Sequence, residues 1–170
     1  MPPGGFLLDV GLGALARRLR LLGLDAAWSA DADDPELVTR AAAEDRVLLT
    51  QDRGLLMRRA LGRAGRARGA LIRGSRPDDQ LADVMERFSP GGRPFTRCTA
   101  CGDVLVQVPK ADVAERLPQG TRRSYDDFAR CRTCRRVYWQ GAHAPRIRAL
   151  VAGATLGGTT EETDRGAPRR

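Results

Sequence analysis

Cysteine occurs four times in this chain, each time as half of a Cys-x-x-Cys pair: Cys98-Thr-Ala-Cys101 and Cys131-Arg-Thr-Cys134. Two residues between thiols let both sulfurs of a pair face one point. Two such knuckles complete a tetrahedral thiolate site of the kind that holds Zn²⁺. The 29 residues between the pairs suffice for hairpin strands that bring the knuckles together. Val104 to Val108 reads as one strand and Val137-Tyr138-Trp139 as its partner. Gly102 follows the first knuckle, where the chain often turns through positive φ. Arg135 occupies the matching place after the second, where a glycine or small residue is expected. Disulfides belong to oxidising compartments, and Met-Pro-Pro-Gly-Gly at the start carries no secretory pattern. A redox role suits one such pair better than two matched ones. The expectation is a structural zinc ion on Cys98, Cys101, Cys131 and Cys134, supplying much of the folding free energy of a small ribbon.

Upstream of the cysteines the pattern is strand–helix alternation. Phe6-Leu7-Leu8-Asp9-Val10 reads as a buried strand, and Leu12, Leu15, Ala16, Leu19 and Leu22 then recur at helical spacing. Gly23 suits the helix end, and Leu24 to Trp28 reads as a second strand. Asp34-Pro35 opens the next helix, with Asp34 as N-cap and Pro35 at the first helical position. Arg46 to Thr50 is a third strand, followed by a short helix through Leu55, Leu56 and Arg59. Ala67 to Arg73 contains a fourth strand, and Pro77 to Phe88 reads as a fourth helix. Short connections between such elements imply an α/β fold: a mostly parallel sheet flanked by helices. Ser89-Pro90-Gly91-Gly92-Arg93-Pro94 reads as a linker. The domain expectation is therefore an α/β domain at 1–92, a zinc ribbon at 93–150 and a disordered tail at 151–170.

Charge is divided unevenly between these parts. Residues 1–92 hold 14 Arg against 13 acids, whereas residues 93–150 hold 12 basic residues against 5 acids. A basic module attracts polyanions and releases their counterions on binding. Because Lys110 is the one lysine, a general arginine bias with a solvated surface is the alternative. No apolar run approaches the ~18 residues that span a bilayer, so a soluble cytoplasmic protein is expected.

Three acids stand where chemistry is usually placed. Asp9 interrupts an apolar strand, Asp52 follows the third strand, and Asp34 opens the helix between them. In an open parallel sheet the carboxyl ends of the strands line the ligand crevice. Carboxylates gathered there repel one another until a hard divalent cation sits among them. Each acid also has a purely structural reading. Asp34 and Asp52 are competent helix caps, while Asp31 and Asp33 read as solvated loop acids.

These stretches together resemble a known family, the ribonuclease domain named for the C-terminus of the Mut-seven exonuclease, which joins a PIN-like domain to a zinc ribbon. The resemblance rests on Phe6-Leu7-Leu8-Asp9, Leu12 to Gly23, Asp34-Pro35-Glu36-Leu37-Val38 and Arg46 to Arg53. In the ribbon it rests on Arg97 to Cys101, Phe128 to Cys134 and Tyr138 to His143. It implies a Mg²⁺- or Mn²⁺-dependent ribonuclease, with Asp9, Asp34 and Asp52 as metal ligands and catalytic acids. Asp78 and Asp79 find no place in that set.

RNA is then the expected partner. Arg17, Arg20 and Arg53 flank the acids as candidate phosphate contacts. Five aromatics, Phe95, Tyr125, Phe128, Tyr138 and Trp139, lie in the ribbon among basic residues. Phe95 and Phe128 read as core, whereas Tyr138 and Trp139 are candidates for stacking on unpaired bases. His143, the single histidine, reads either as a packed structural residue or as a phosphate contact. No nucleophile–base pair suggests covalent catalysis. The competing function is a non-catalytic RNA-binding or ribonucleoprotein-docking adaptor in which the acids are structural.

Overall fold

A computed structural model describes residues 4–58, 67–141, 144–145 and 147–149. His143, the expected helix end at Arg59 and the tail at 151–170 lie outside the described residues.

Four short strands build the first sheet: β1 (Phe6–Leu8), β2 (Ala26–Trp28), β3 (Val47–Thr50) and β4 (Arg68–Leu71). All neighbours are parallel, in the order β2-β1-β3-β4. Helices α1 (Gly13–Leu21), α2 (Asp34–Ala43), α3 (Arg53–Leu56) and α4 (Pro77–Phe88) connect and cover them. Because side chains alternate along a strand, Phe6, Leu8, Val47 and Leu49 join Leu15, Leu19 and Val84 in one core. Leu7 and Leu48 point the other way, to Leu37, Val38 and Leu55. A sheet buried on both faces explains why its strands read as unbroken apolar runs. Each fully buried Leu or Phe contributes about 1.5–3 kcal/mol of transfer free energy, so this unit carries its own core.

One cap differs from expectation. Asp33 is the N-cap of α2, its Oδ1 accepting from the Glu36 N–H at 2.8 Å, and Asp34 is the first helical residue. Shifting the cap by one leaves the Asp34 carboxylate outside the capping role.

The ribbon sheet is antiparallel, with β5 (Leu105–Val108), β6 (Phe128–Cys131) and β7 (Val137–Trp139) in that order. The expected direct pairing of 104–108 with 137–139 is corrected, because β6 lies between them. The reason is local. The second knuckle is itself the turn of a hairpin, and the Cys131 N–H donates to the Arg136 carbonyl at 2.9 Å. Its two arms therefore pair with each other, and β5 reaches only the outer side of β6. A small core of Val113, Leu117 and Phe128 supports this sheet from the excursion containing α5 (Gln119–Ser124).

The Ser89–Pro94 stretch is packed on the end of α1. A Cβ on Gly92 would lie 2.3 Å from the Leu22 carbonyl oxygen, and one on Gly23 only 1.8 Å from that of Arg93. Gly23 also has φ +80. Two backbones cross here at a separation only glycine permits. The Phe95 N–H donates to the Leu21 carbonyl at 3.2 Å, and Asp25 forms ion pairs with both Arg46 at 2.8 Å and Arg97 at 3.1 Å. The ribbon is thus docked on the C-terminal end of α1.

Candidate functional site

Two groups of side chains carry metal-binding chemistry. At the ribbon, the donor atoms of Cys98, Cys101, Cys131 and Cys134 all lie within 4.8 Å of one another. Cys98 and Cys134 sulfurs are 3.5 Å apart, and those of Cys101 and Cys131 3.4 Å. Tetrahedral Zn–S bonds of ~2.3 Å require sulfurs about 3.8 Å apart, so this spacing fits Zn²⁺. Both knuckles turn through positive φ directly after their second cysteine, at Gly102 (φ +87) and at Arg135 (φ +61). Surrounding groups hold the sulfurs in place: the Tyr138 hydroxyl lies 3.0 Å from Cys98 Sγ, and the Cys98 N–H donates to the Asp103 carbonyl at 2.8 Å. Burial pushes the Cys98 thiol up. Hydrogen bonds from the Tyr138 hydroxyl and the Cys101 N–H prevail, bringing it down to about 6. Burial and the neighbouring sulfurs push the Cys101 thiol up to about 12. Crowded sulfurs cannot all ionise alone, and a cation among them removes that conflict.

Arg20 belongs to this centre and not to a phosphate site, which corrects the sequence expectation. Its side chain is 2 % exposed. Nε donates to the Ala26 carbonyl at 2.7 Å, while Nη1 donates to the carbonyls of Ala100 at 2.7 Å and Thr99 at 3.3 Å. Burial lowers the guanidinium pKa, and the fields of Cys101, Cys98 and Asp25, in that order, oppose the fall. Helical spacing alone places Arg20 off the apolar face of α1. The second surface that buries it, the docked ribbon, has no signature in the local pattern.

The second group lies at the carboxyl edge of the parallel sheet. The topology puts β1 beside β3, and Leu8 is in register with Leu49. The buried Thr50 side chain joins their ends. Its hydroxyl donates to Asp9 Oδ2 at 2.6 Å and accepts from the Asp52 N–H at 2.9 Å. Asp9 Oδ1 accepts from the Val10 N–H at 2.6 Å, and Asp52 Oδ1 caps α3 by accepting from the Gly54 N–H at 2.6 Å. Asp9 and Asp52 are therefore both fixed on one hydroxyl.

Asp34 is not drawn into that pair. It accepts from Arg58 Nη2 at 2.8 Å. Among the described residues the four cysteines form the one group of three or more candidate ligands gathered tightly enough to share an ion. Arg17 and Arg53 are exposed and form no ion pair among the described residues, whereas Arg18 pairs with Asp78. The edge also holds two glutamines whose role no motif in the sequence signals. Gln51 donates to the Gly74 carbonyl at 2.7 Å, and the buried Gln80 donates to Gln51 Oε1 at 3.3 Å. They tie the ends of β3 and β4 to the start of α4.

Tyr138 and Trp139 line a cavity of about 320 Å³ between the ribbon and α1, together with Leu21, Phe95, Gln107 and Asp127. Trp139 is 38 % exposed. The expected core residue Phe128 is buried, and Phe95 is half-buried at φ +64.

A parallel α/β unit with acids at its carboxyl edge, carrying a docked tetracysteine ribbon, is the architecture these observations define. The family model described as the Mut7-C RNAse domain matches residues 4–151, and the chain belongs to that family. Comparison with curated proteins and with solved structures gives no significant match. No helix among the described residues is long and apolar enough to cross a membrane.

Proposed function

We propose that this ribonuclease-family chain hydrolyses RNA phosphodiester bonds endonucleolytically, using Mg²⁺ or Mn²⁺ at the carboxyl edge, while the ribbon holds one structural zinc ion and binds RNA. The observation that carries the catalytic reading is the Thr50 hydroxyl. It fixes Asp9 and the Asp52 backbone at one edge of the sheet. Carboxylate oxygens are the donors hard divalent cations prefer. Such an ion, when bound, lowers the pKa of a water and offsets phosphate charge.

The protein's own part is positioning. Thr50 donates its single proton to Asp9 Oδ2 and so fixes the orientation of that carboxylate. Gly54 orients Asp52 in the same way. Asp34 is the third acid of the proposal. Its pair with Arg58 is half exposed on both sides, and exposed ion pairs hold with only about 0–1 kcal/mol. A cation at the edge therefore competes readily for Asp34.

RNA binding rests on the charge of residues 93–150 and on the exposed Trp139 beside the junction cavity. Cleavage of a fluorescent single-stranded RNA tests the reading. Activity should stop with EDTA, return with Mn²⁺, and be absent in Asp9→Asn and Asp52→Asn. Full activity in both variants would remove the acids from the mechanism, and RNA binding without cleavage by the wild type would transfer the function to the adaptor class.

A further inference from the structure

Arg20 is the largest fully buried side chain among the described residues. Nothing in the nuclease reading uses it. Its hydrogen-bond partners are three carbonyls, two of them the middle residues of the first knuckle, Thr99 and Ala100. Among the described residues no carboxylate pairs with it, and the nearby Asp25 is already engaged by Arg46 and Arg97. A buried cation with only neutral partners is expensive unless an anion stands close by. The neighbouring anion in this fold is the sulfur cluster. Four thiolates around one Zn²⁺ carry a net charge of −2, and Arg20 lies against the turn that carries two of them. A Cβ on Gly102 would sit 3.0 Å from Arg20 Nε, so knuckle and guanidinium are in van der Waals contact.

We propose that Arg20 is the counter-ion of the zinc centre and the residue through which zinc loading locks the ribbon onto the α/β unit. The knuckle carbonyls accept from Nη1 only when the knuckle is folded, and the knuckle folds around its metal. On the other side Nε holds Ala26 at the start of β2, beside β1 and hence beside the strand that precedes Asp9. Zinc binding and docking are then two faces of one equilibrium, and the linkage is reciprocal. Removal of zinc deprives Arg20 of its anion and of its acceptors together. The guanidinium then seeks water, and the junction opens. Removal of Arg20 leaves the tetrathiolate with an uncompensated charge at the junction. This role belongs to the ribbon–domain junction and holds whether or not the chain cleaves RNA.

The test uses the full chain and zinc itself, in competition with a chromophoric chelator, for wild type, Arg20→Met, Arg20→Lys and the exposed control Arg76→Met. Arg20→Met should lose zinc affinity by about 10–100-fold, the range found when groups supporting metal ligands are removed. Arg20→Lys should recover part of that loss through its charge alone, and Arg76→Met should match wild type. Amide hydrogen exchange supplies a readout independent of any variant's folding. In wild type, stripping zinc should speed exchange at the end of α1 and in β2, and restoring zinc should reverse it. Zinc affinity of Arg20→Met within twofold of wild type would make Arg20 a packing residue only. So would unchanged α1 and β2 exchange in zinc-stripped wild type.

Discussion

At the ribbon, four sulfurs come from two stretches of four residues each, and the fold brings all four within 4.8 Å. At the sheet edge, three carboxylates come from three separate connections. Thr50 links the Asp9 carboxylate to the Asp52 backbone N–H, the Asp52 carboxylate caps α3, and Asp34 pairs with Arg58. The difference is one of what positions the donors. A Cys-x-x-Cys turn fixes its own sulfurs, so each knuckle arrives as a preformed half-site. An acid after a strand is placed only by the pairing of β1 with β3, and an acid at a helix start also by the path of the loop before it. Protonated thiols can also hydrogen-bond to one another, as the 3.5 Å contact of Cys98 and Cys134 allows, whereas carboxylates gather only around a proton, a donor or a cation.

The sharpest way to break the comparison is to remove each metal in turn. Elemental analysis should give one zinc per chain. Cys131→Ser, at a fully buried position, should abolish the ribbon fold, because structural zinc contributes roughly 10–16 kcal/mol of apparent binding free energy in small modules. Near-ultraviolet dichroism of Trp139 and Tyr138 reports it. The α/β unit should remain folded on its own core, with loosening confined to the end of α1 and to β2. By contrast, exchange into Mg²⁺-free buffer without any chelator should leave zinc bound and both folds intact and stop only catalysis. Global unfolding in Mg²⁺-stripped, zinc-loaded protein would erase the distinction between the two centres.

Next in size are the acid variants. Asp9→Asn and Asp52→Asn should reduce cleavage by at least about a hundredfold, as when an electrostatic anchor of the transition state is lost. RNA binding should stay equal or tighten, since each removes a negative charge. Their stabilities should differ. Asp52→Asn still caps α3, because Asn caps as well as Asp. Asp9 accepts from two donors on two oxygens, and Asn offers one, so Asp9→Asn should cost about 1 kcal/mol by urea denaturation. Thr50→Val removes the shared hydroxyl and leaves Asp9 Oδ2 and the Asp52 N–H without a partner, while Asp9 Oδ1 keeps the Val10 N–H and the Asp52 carboxylate keeps the Gly54 N–H. We expect a loss of about 1–3 kcal/mol and of roughly tenfold in cleavage rate, in line with other groups that orient ligands.

Much of this architecture is legible in the order of the residues alone. The apolar runs at Phe6–Leu8 and Val47–Leu49, and the helix at Pro77–Phe88, follow from period and punctuation and are found there. The cysteine cluster follows from spacing alone. The failures share a cause. Asp33, not Asp34, caps α2, because the choice between adjacent acids turns on loop path. β6 enters the ribbon sheet unforeseen, because its pattern is short and its partner is fixed by the knuckle turn. Arg20 reads as an exposed arginine on a helix, because the surface that buries it lies about 80 residues away, as its bond to Ala100 records. Local patterns report one face of an element and are silent on what later docks against the other.

The smallest expected effect compares the two knuckles with each other. Both turn with positive φ, but Gly102 does so freely and Arg135 does not. An L-residue in the left-handed region costs about 1–2 kcal/mol, and glycine at the same place is released from that cost. Glycine also brings extra freedom to the unfolded chain, worth about 0.4–1 kcal/mol. The two nearly offset, so Arg135→Gly should stabilise the zinc-loaded chain by only about 0.5–1 kcal/mol, the difference between these two terms. Gly102→Ala should do the reverse and by more. It meets the same backbone penalty, and its Cβ also arrives 3.0 Å from Arg20 Nε. Zinc competition on both variants separates the contributions. Arg135→Gly should raise zinc affinity by a few-fold at most, since Arg135 is exposed. Gly102→Ala should lower it well beyond that, because it disturbs the guanidinium as well as the turn. If the two substitutions shift affinity by equal and opposite amounts, the knuckles are equivalent turns and the contact with Arg20 adds nothing to the first.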